Sequence, residues 1–156
     1  MTDPSDGLKS FQQELRRGTI KVQRVTSDSE LFVHSDSPLG VLRYTYVRLK
    51  NKTVKALVMF AMEPPIRKKP CFAVGYAVPK AYRNQGRAKD VIKAGIADMQ
   101  AGLKRNGYPE FYLIAIVGAD NPSSMRVAEQ VISDKPKAIR ERISGQPAFR
   151  YFCRTK

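Results

Sequence analysis

The sequence predicts an α/β fold in one domain, and two observations carry that reading. Segments rich in Val, Tyr, Leu and Phe, of strand length and parted by short turns, occupy residues 19–62 and 138–154. Between them, residues 71–132 change period and read as strand, turn, helix, strand and helix. At 156 residues, 42% of them apolar, the chain can bury one core and is of ordinary size for a single domain.

The elements follow in order. Residues 6–17 carry Leu8, Phe11 and Leu15 at helical spacing, with Gly18 as the stop. Residues 19–25 and 30–33 read as short strands around Ser27, Asp28 and Ser29. Residues 41–49 and 54–62 read as a hairpin turning at Lys50, Asn51 and Lys52, and Glu63-Pro64-Pro65 is expected to end it. The run 71–78, CFAVGYAV, is a further strand stopped by Pro79. From Gly86 the period becomes helical: Ala88, Val91, Ile92, Gly95, Ile96, Met99 and Leu103 share one face, and Asn106-Gly107 ends it. The continuously apolar run 111–117, FYLIAIV, is expected to be a strand buried on both faces. A short helix then starts near Pro122 with Met125, Ala128, Val131 and Ile132 inward, and a hairpin of 138–143 with 148–154 closes the chain around Gly145-Gln146-Pro147.

Charge narrows the partners. The 28 Lys and Arg against 14 Asp and Glu leave a formal +14, which favours anionic partners: a nucleotide cofactor, a nucleic acid or an acidic protein. The cations are spread along the chain, at 16–17, 48–55, 67–69, 83–93, 104–105, 135–142 and 154–156. No run approaches the roughly 18 apolar residues of a membrane span, and the opening MTDPSDG lacks the pattern of a secretory leader. The expectation is a soluble, cytoplasmic protein with no membrane partner. Cys71 and Cys153 lack metal-ligand spacing and read as reduced, buried and inert, so no metal site is expected. His34, the only histidine, reads as a surface residue in a polar turn.

Residues 82–92, YRNQGRAKDVI, set a glycine between two arginines where a strand gives way to a helix. Backbone N–H groups at such a helix start are free to meet an anion. The turn is neither the Gly-x-Gly-x-x-Gly of a dinucleotide fold nor a phosphate-binding Gly-Lys-Ser/Thr loop. Arg83-Asn84-Gln85-Gly86-Arg87-Ala88 resembles motif A of the GNAT superfamily of acyl-CoA-dependent N-acyltransferases, Arg/Gln-x-x-Gly-x-Gly/Ala, at every fixed position. Asn121 with Ser124 three places on, opening the next helix, is similar to that superfamily's second landmark. The resemblance spans residues 72–132.

The resemblance implies a GNAT fold: a mixed, mostly antiparallel sheet of about six or seven strands flanked by helices and splayed at its centre for acyl-CoA. It implies that the amides of Gln85, Gly86, Arg87 and Ala88 receive the pyrophosphate, with Arg83 or Arg87 adding charge beside Asn84. It implies that Tyr76, Ala77 and Val78 pair with the pantetheine arm, that one of their amides faces the thioester carbonyl, and that Asn121 holds the same arm. The implied activity is transfer of an acetyl group from acetyl-CoA to a primary amine of open class by direct attack.

This chain also departs from the superfamily pattern. Ala128 stands where many members carry a tyrosine acid, and Phe72 where many carry a glutamate base. Ser124 is the candidate acid and Glu63 the candidate base; against these stand a helix-opening structural serine and a solvated glutamate in a Pro-rich turn. One short helix ahead of several strands replaces the usual strand and two helices, so the acceptor-defining part does not align. The rival expectation is a degenerate GNAT-like module whose basic surface binds nucleic acid or an acidic protein. A second copy of the chain is a further candidate partner.

Overall fold

A computed structural model describes residues 3–155; Met1, Thr2 and Lys156, which belong to the opening stretch and the basic end read above, lie outside it. Helix α1 (Pro4–Arg17) opens on Asp3, whose carboxylate accepts the Ser5 N–H at 2.8 Å, with Pro4 in the first turn where no amide is missed. Gly18, at φ 73°, closes it. Leu8, Phe11 and Leu15 turn inward onto Val47, Leu57 and Met59.

Five strands then form an antiparallel meander: β1 (Gln23–Val25), β2 (Asp28–Asp36), β3 (Arg43–Lys50), β4 (Thr53–Ile66) and β5 (Lys69–Ala77). Helix α2 (Arg87–Arg105) crosses over to β6 (Phe111–Gly118), which lies parallel to β5. Helix α3 (Pro122–Val131), β7 (Lys137–Arg140) and β8 (Pro147–Thr155) complete the chain, and β8 inserts between β6 and β7. The sheet has eight strands in the order β1-β2-β3-β4-β5-β6-β8-β7, slightly more than the six or seven expected, and only the β5–β6 pair is parallel.

Four local expectations are corrected. Glu63-Pro64-Pro65 does not end β4; the strand runs to Ile66 through an irregularity in its pairing with β5, which is where prolines without N–H groups are tolerated. The turn falls instead at Arg67 and Lys68, both at positive φ (51° and 64°). Strand β7 stops at Arg140, and Ile143 is 93% exposed because 141–146 form a loop in which the Glu141 carboxylate accepts the Ser144 N–H. Strand β6 is buried on one face along its length but not on the other, where Ile116 is 53% exposed. His34 lies in β2 opposite Thr45, its Nδ1 on the Lys21 carbonyl at 3.0 Å, rather than in a turn. Both thiols are free; Cys71 is buried and Cys153 only half-buried, and burial pushes each thiol up, away from the reactive thiolate.

The main core lies between the sheet and helices α2 and α3, around Phe60, Phe72, Ile92, Leu113 and Tyr151. Helix α2 comes close enough at Gly95 that a Cβ there would stand 3.1 Å from Phe60 and 3.2 Å from Val58. A larger residue there would require those side chains to give way, so glycine suits the close approach.

Arg48 orients the start of α2. Its guanidinium donates to Asp28 at 2.8 Å at the start of β2 and to Asp90 at 2.9 Å in the first turn of α2. The Asp28 carboxyl is held below its usual range, chiefly by that bond to Arg48. A carboxylate whose folded value is depressed contributes stability above its unfolded value, about 3.9, and loses it as pH falls through the lower folded value. Denaturant midpoints at neutral pH and in the acid range below about 3.9 are therefore expected to separate wild type from Arg48→Met at neutral pH and to bring them together in acid. An equal gap at both pH values would show that Arg48 does not set the Asp28 charge.

Candidate functional site

The site is built where β5 and β6 part. They pair only through Cys71, Phe72 and Ala73 against Tyr112, Leu113 and Ile114. Beyond that point β5 continues to Ala77, paired with Leu57 of β4, while β6 continues to Gly118, paired with Ala148 of β8. Alternate residues of a strand turn their backbone groups to opposite sides. The facing edges of residues 74–77 and 115–118 therefore open into a crevice instead of a ladder, and the sheet is splayed at its centre.

Two tyrosines hold the crevice on its α3 side. Tyr76 Oη donates to the Ser124 carbonyl at 2.6 Å, tying the end of β5 to the first turn of α3. Tyr151, opposite Ala115 across the β6–β8 register, is fully buried, and its hydroxyl has no hydrogen-bond partner among the described residues. Burial pushes both phenols up, with Tyr151 adding to the rise at Tyr76 and Glu129 to the rise at Tyr151. Sequence reasoning missed Tyr151, because a tyrosine in an apolar strand reads as core; its only signal is a polar group in a run otherwise buried without one.

The turn before α2 closes the crevice at the strand ends. Its φ values alternate in sign: −73° at Arg83, 62° at Asn84, negative at Gln85 and 72° at Gly86. Such alternation curls successive N–H groups toward one concave side. Gly86 is the N-cap of α2 and has no side chain to satisfy the first turn, and no described acceptor takes the N–H of Gln85, Gly86, Arg87 or Ala88. A Cβ on Gly86 would meet open space, so glycine is required here for its positive φ and not for room.

The arginines are engaged with their neighbours. Arg83 Nε donates to the Val78 carbonyl at 3.0 Å, just past β5, which fixes the turn against the strand end. Arg87 Nε donates to Gln85 Oε1 at 3.1 Å. Lys55 Nζ and Arg87 Cζ lie 3.7 and 5.4 Å from the Tyr82 ring centre, and the bond to Lys55 pulls that exposed phenol down.

Asn121 caps α3, its Oδ1 accepting the Ser124 N–H at 3.2 Å, which leaves its side-chain amide free to donate. No described hydrogen bond uses the Ser124 hydroxyl. Tyr76, Ala77, Val78, residues 83–88, Asn121 and Ser124 thus bracket one crevice. Glu63 does not join them: it is exposed opposite Cys71, six residues along β4 from the Leu57 that faces Ala77, or about 20 Å at strand rise. On the other side of the sheet, a polar cleft of about 290 Å³ under α1 is lined by Glu14, His34, Asp36, Arg43, Leu57 and Met59, among others.

An unpartnered buried hydroxyl carries a desolvation cost that its removal relieves. Tyr151→Phe is therefore expected to stabilise the ligand-free protein by about 1 kcal/mol in chemical denaturation. A loss of similar size would mean that the phenol has a partner.

No family model matches the chain, and no curated protein does. Solved structures do. A GNAT acetyltransferase from Streptococcus pneumoniae superposes over 99% of this chain and 96% of its own, with a TM-score of 0.58 at 15% identity. The NatC complex bound to Gag peptide and CoA matches 72% of this chain and 71% of its own, with a TM-score of 0.52 at 20% identity. A chimeric spermidine N-acetyltransferase SpeG from Vibrio cholerae matches 70% and 68%, with a TM-score of 0.51 at 16% identity. Likeness of this extent across such distant sequences is a statement about architecture, and by it the chain has the fold of the GNAT acetyltransferases.

Proposed function

We propose that the chain is an acyl-CoA-dependent N-acyltransferase that moves an acetyl group from acetyl-CoA to a primary amine by direct attack on the thioester. The observation that carries this is the splay of β5 from β6 directly beside a turn with four unpartnered amides. A CoA-type ligand carries both an extended amide-rich arm, which suits unpaired strand edges, and a pyrophosphate, which suits the start of α2. The residues present fit it: alternate φ signs at 83–86 form the anion cradle, and Tyr151 holds an unused hydroxyl under the crevice. The solved relatives with this fold include acetyltransferases named for a polyamine and for GNAT activity, and one holds CoA beside a peptide.

Each residue then has a task. Gln85, Gly86, Arg87 and Ala88 receive the pyrophosphate through their N–H groups, aided by the positive end of the α2 dipole. Asn84 and Gly86 supply the positive φ that aims those groups, and Arg83 braces the turn on Val78. Free amides along Tyr76, Ala77 and Val78 take the arm, and one of them stabilises the oxyanion as the amine attacks. Asn121 donates its side-chain amide from the opposite wall. The amine enters from the α1 side, where the polar cleft reaches Leu57 and Met59, the residues paired with Ala77 and Gly75. Ser124 stands close enough to the wall to assist the leaving thiolate, whereas the placement of Glu63 argues against it as a direct base. A second reading, a CoA-binding module without turnover, draws on that lack of a base; it predicts acetyl-CoA binding with no release of free thiol for any amine.

Gln85→Glu keeps the bond to Arg87 and adds a charge that favours the helix start but repels a pyrophosphate. It is expected to leave the melting midpoint unchanged or higher while weakening acetyl-CoA in calorimetric titration by about tenfold or more. Equal affinity in both proteins would remove the anion site from the scheme. Ser124→Ala is expected to slow turnover by about tenfold or less, since a thiolate leaves with little help. The rate should rise as the acceptor amine deprotonates, and with both phenols pushed upward no falling limb is expected below about pH 10. Abolished transfer in Ser124→Ala with acetyl-CoA affinity intact would make that serine the dedicated acid.

A further inference from the structure

The arm of the sheet formed by β6, β8 and β7 has an outer face that neither the splay nor the cofactor turn uses. Register places Tyr112, Ile114 and Ile116 of β6 opposite Arg154, Phe152 and Arg150 of β8, and Lys137 of β7 opposite Arg150. Opposed residues of an antiparallel pair share a face. This is the side away from α3, whose core partners Ala115, Val117 and Tyr151 point the other way. Ile116 and Phe152 are 53% and 37% exposed, so no described helix covers the stretch between them.

Its chemistry is unusual in two respects. Phe152 stacks on Tyr112 with ring centres 5.3 Å apart and planes 15° from parallel, and the Arg150 guanidinium lies 5.1 Å from the Phe152 centre. Strands β6, β7 and β8 hold four cations, Lys137, Arg140, Arg150 and Arg154, and no acidic residue. None of the four joins a described salt bridge, whereas Arg43, Arg48 and Lys69 elsewhere on the sheet are each paired with a carboxylate. Residues 135–156 hold seven Lys and Arg against one Glu, six of the chain's net fourteen positive charges.

We propose that this face is a docking surface for single-stranded nucleic acid. Bases stack on Phe152 beside the apolar Ile114 and Ile116, while phosphates meet Arg150, Arg154 and Lys137. Side chains two apart on one strand face are about 7 Å from each other, so Arg150, Phe152 and Arg154 set a stacking plane between two cations, the arrangement that sequence-tolerant strand binding uses. A duplex hides its base planes and would leave Phe152 idle. A second copy of the chain is disfavoured, because a two-fold contact would bring three strands without an acidic residue against themselves; Glu63, on the same side of the sheet through the Cys71, Tyr112 and Arg154 register, lies beyond β5. An acidic protein satisfies the arginines but has no need of a flat aromatic flanked by them. The surface stands independently of whether the chain transfers acetyl groups.

Fluorescence anisotropy of the full chain tests it, with labelled single-stranded oligouridine and a duplex RNA of equal length over a series of potassium chloride concentrations. Wild type is expected to prefer the single strand. Phe152→Ala should weaken it by about fivefold or more at an unchanged salt slope, and Arg154→Glu should weaken it and lower the slope by about one to two. Lys52→Glu, the same charge change in the exposed β3–β4 turn, should have little effect. Should Phe152→Ala melt early, the exposed Arg154→Glu carries the decision against Lys52→Glu. The proposal falls if Lys52→Glu weakens binding as much as Arg154→Glu, or if duplex binds as well as single strand with folded Phe152→Ala unaffected. It also falls if a polyglutamate peptide or anionic vesicles bind while oligouridine does not, or if sedimentation shows a dimer that Phe152→Ala dissociates and oligouridine leaves intact.

Discussion

Pairing between β5 and β6 stops after three residues, and the candidate site follows from that interruption. A parallel ladder continued to Ala77 and Gly118 would give a closed sheet with no crevice and no free amides near the strand ends. The chain keeps the strands apart with bulk and with a competing hydrogen bond. Tyr76 reaches past β6 to the Ser124 carbonyl, and Tyr151 fills the core side of the gap. Unpaired backbone groups and a buried, unpartnered phenol are unfavourable in isolation. Eight strands, two core clusters and the close approach of α2 at Gly95 sustain them. Under the proposed function, these open backbone groups are what an extended, amide-bearing ligand would pair with.

Charge is distributed by the same logic. Two arginines with structural tasks are paired with carboxylates: Arg48 joins the start of β2 to the first turn of α2, and Arg43 holds Asp36 through two bonds of 2.9 and 2.6 Å. Arg48 thereby reaches to within three residues of the anion cradle, so the ion pair that stabilises the fold also orients the turn. The cations outside the described salt bridges are spread along the chain, and Arg150 and Arg154 are those that β8 sets on the arm of the sheet that α1 leaves open. One net figure of +14 therefore conceals two populations, one fixing the scaffold and one facing outward.

Much of this was legible in the residues. Periodicity located α1, α2 and α3, and strand composition the β3–β4 hairpin, because amphipathic spacing is a local signal that tertiary packing then uses. The 83–88 turn was legible for the same reason: positive φ at Gly86 and a free helix start are local properties. What escaped was set by distant partners. Two prolines suggested a strand end, yet they sit in a bulge that β5 accommodates, and the turn uses Arg67 and Lys68 at positive φ without any glycine signal. FYLIAIV looked buried throughout; whether a helix covers its second face depends on a topology that composition does not carry. Glu63 looked like a base by its chemistry alone, and only the β4–β5 register shows how far from Ala77 it stands.

Proton handling at the crevice is the constraint that remains. Two phenols, those of Tyr76 and Tyr151, lie beside the splay, and burial moves both upward, so each stays protonated across the physiological range. A group in that state donates and does not accept a proton. Tyr76 already spends its proton on the Ser124 carbonyl, which leaves Tyr151 as the uncommitted donor in the gap. On the proposed function, the crevice would stabilise developing negative charge through strand amides on one side and a phenol on the other, and these groups would not generate a nucleophile. Any amine that reacts there must arrive deprotonated or lose its proton to water on the α1 side, where His34, Glu14 and Asp36 line the polar cleft. On the proposed function, reactivity would accordingly be set by the acceptor's own basicity, with the sheet contributing position and charge stabilisation.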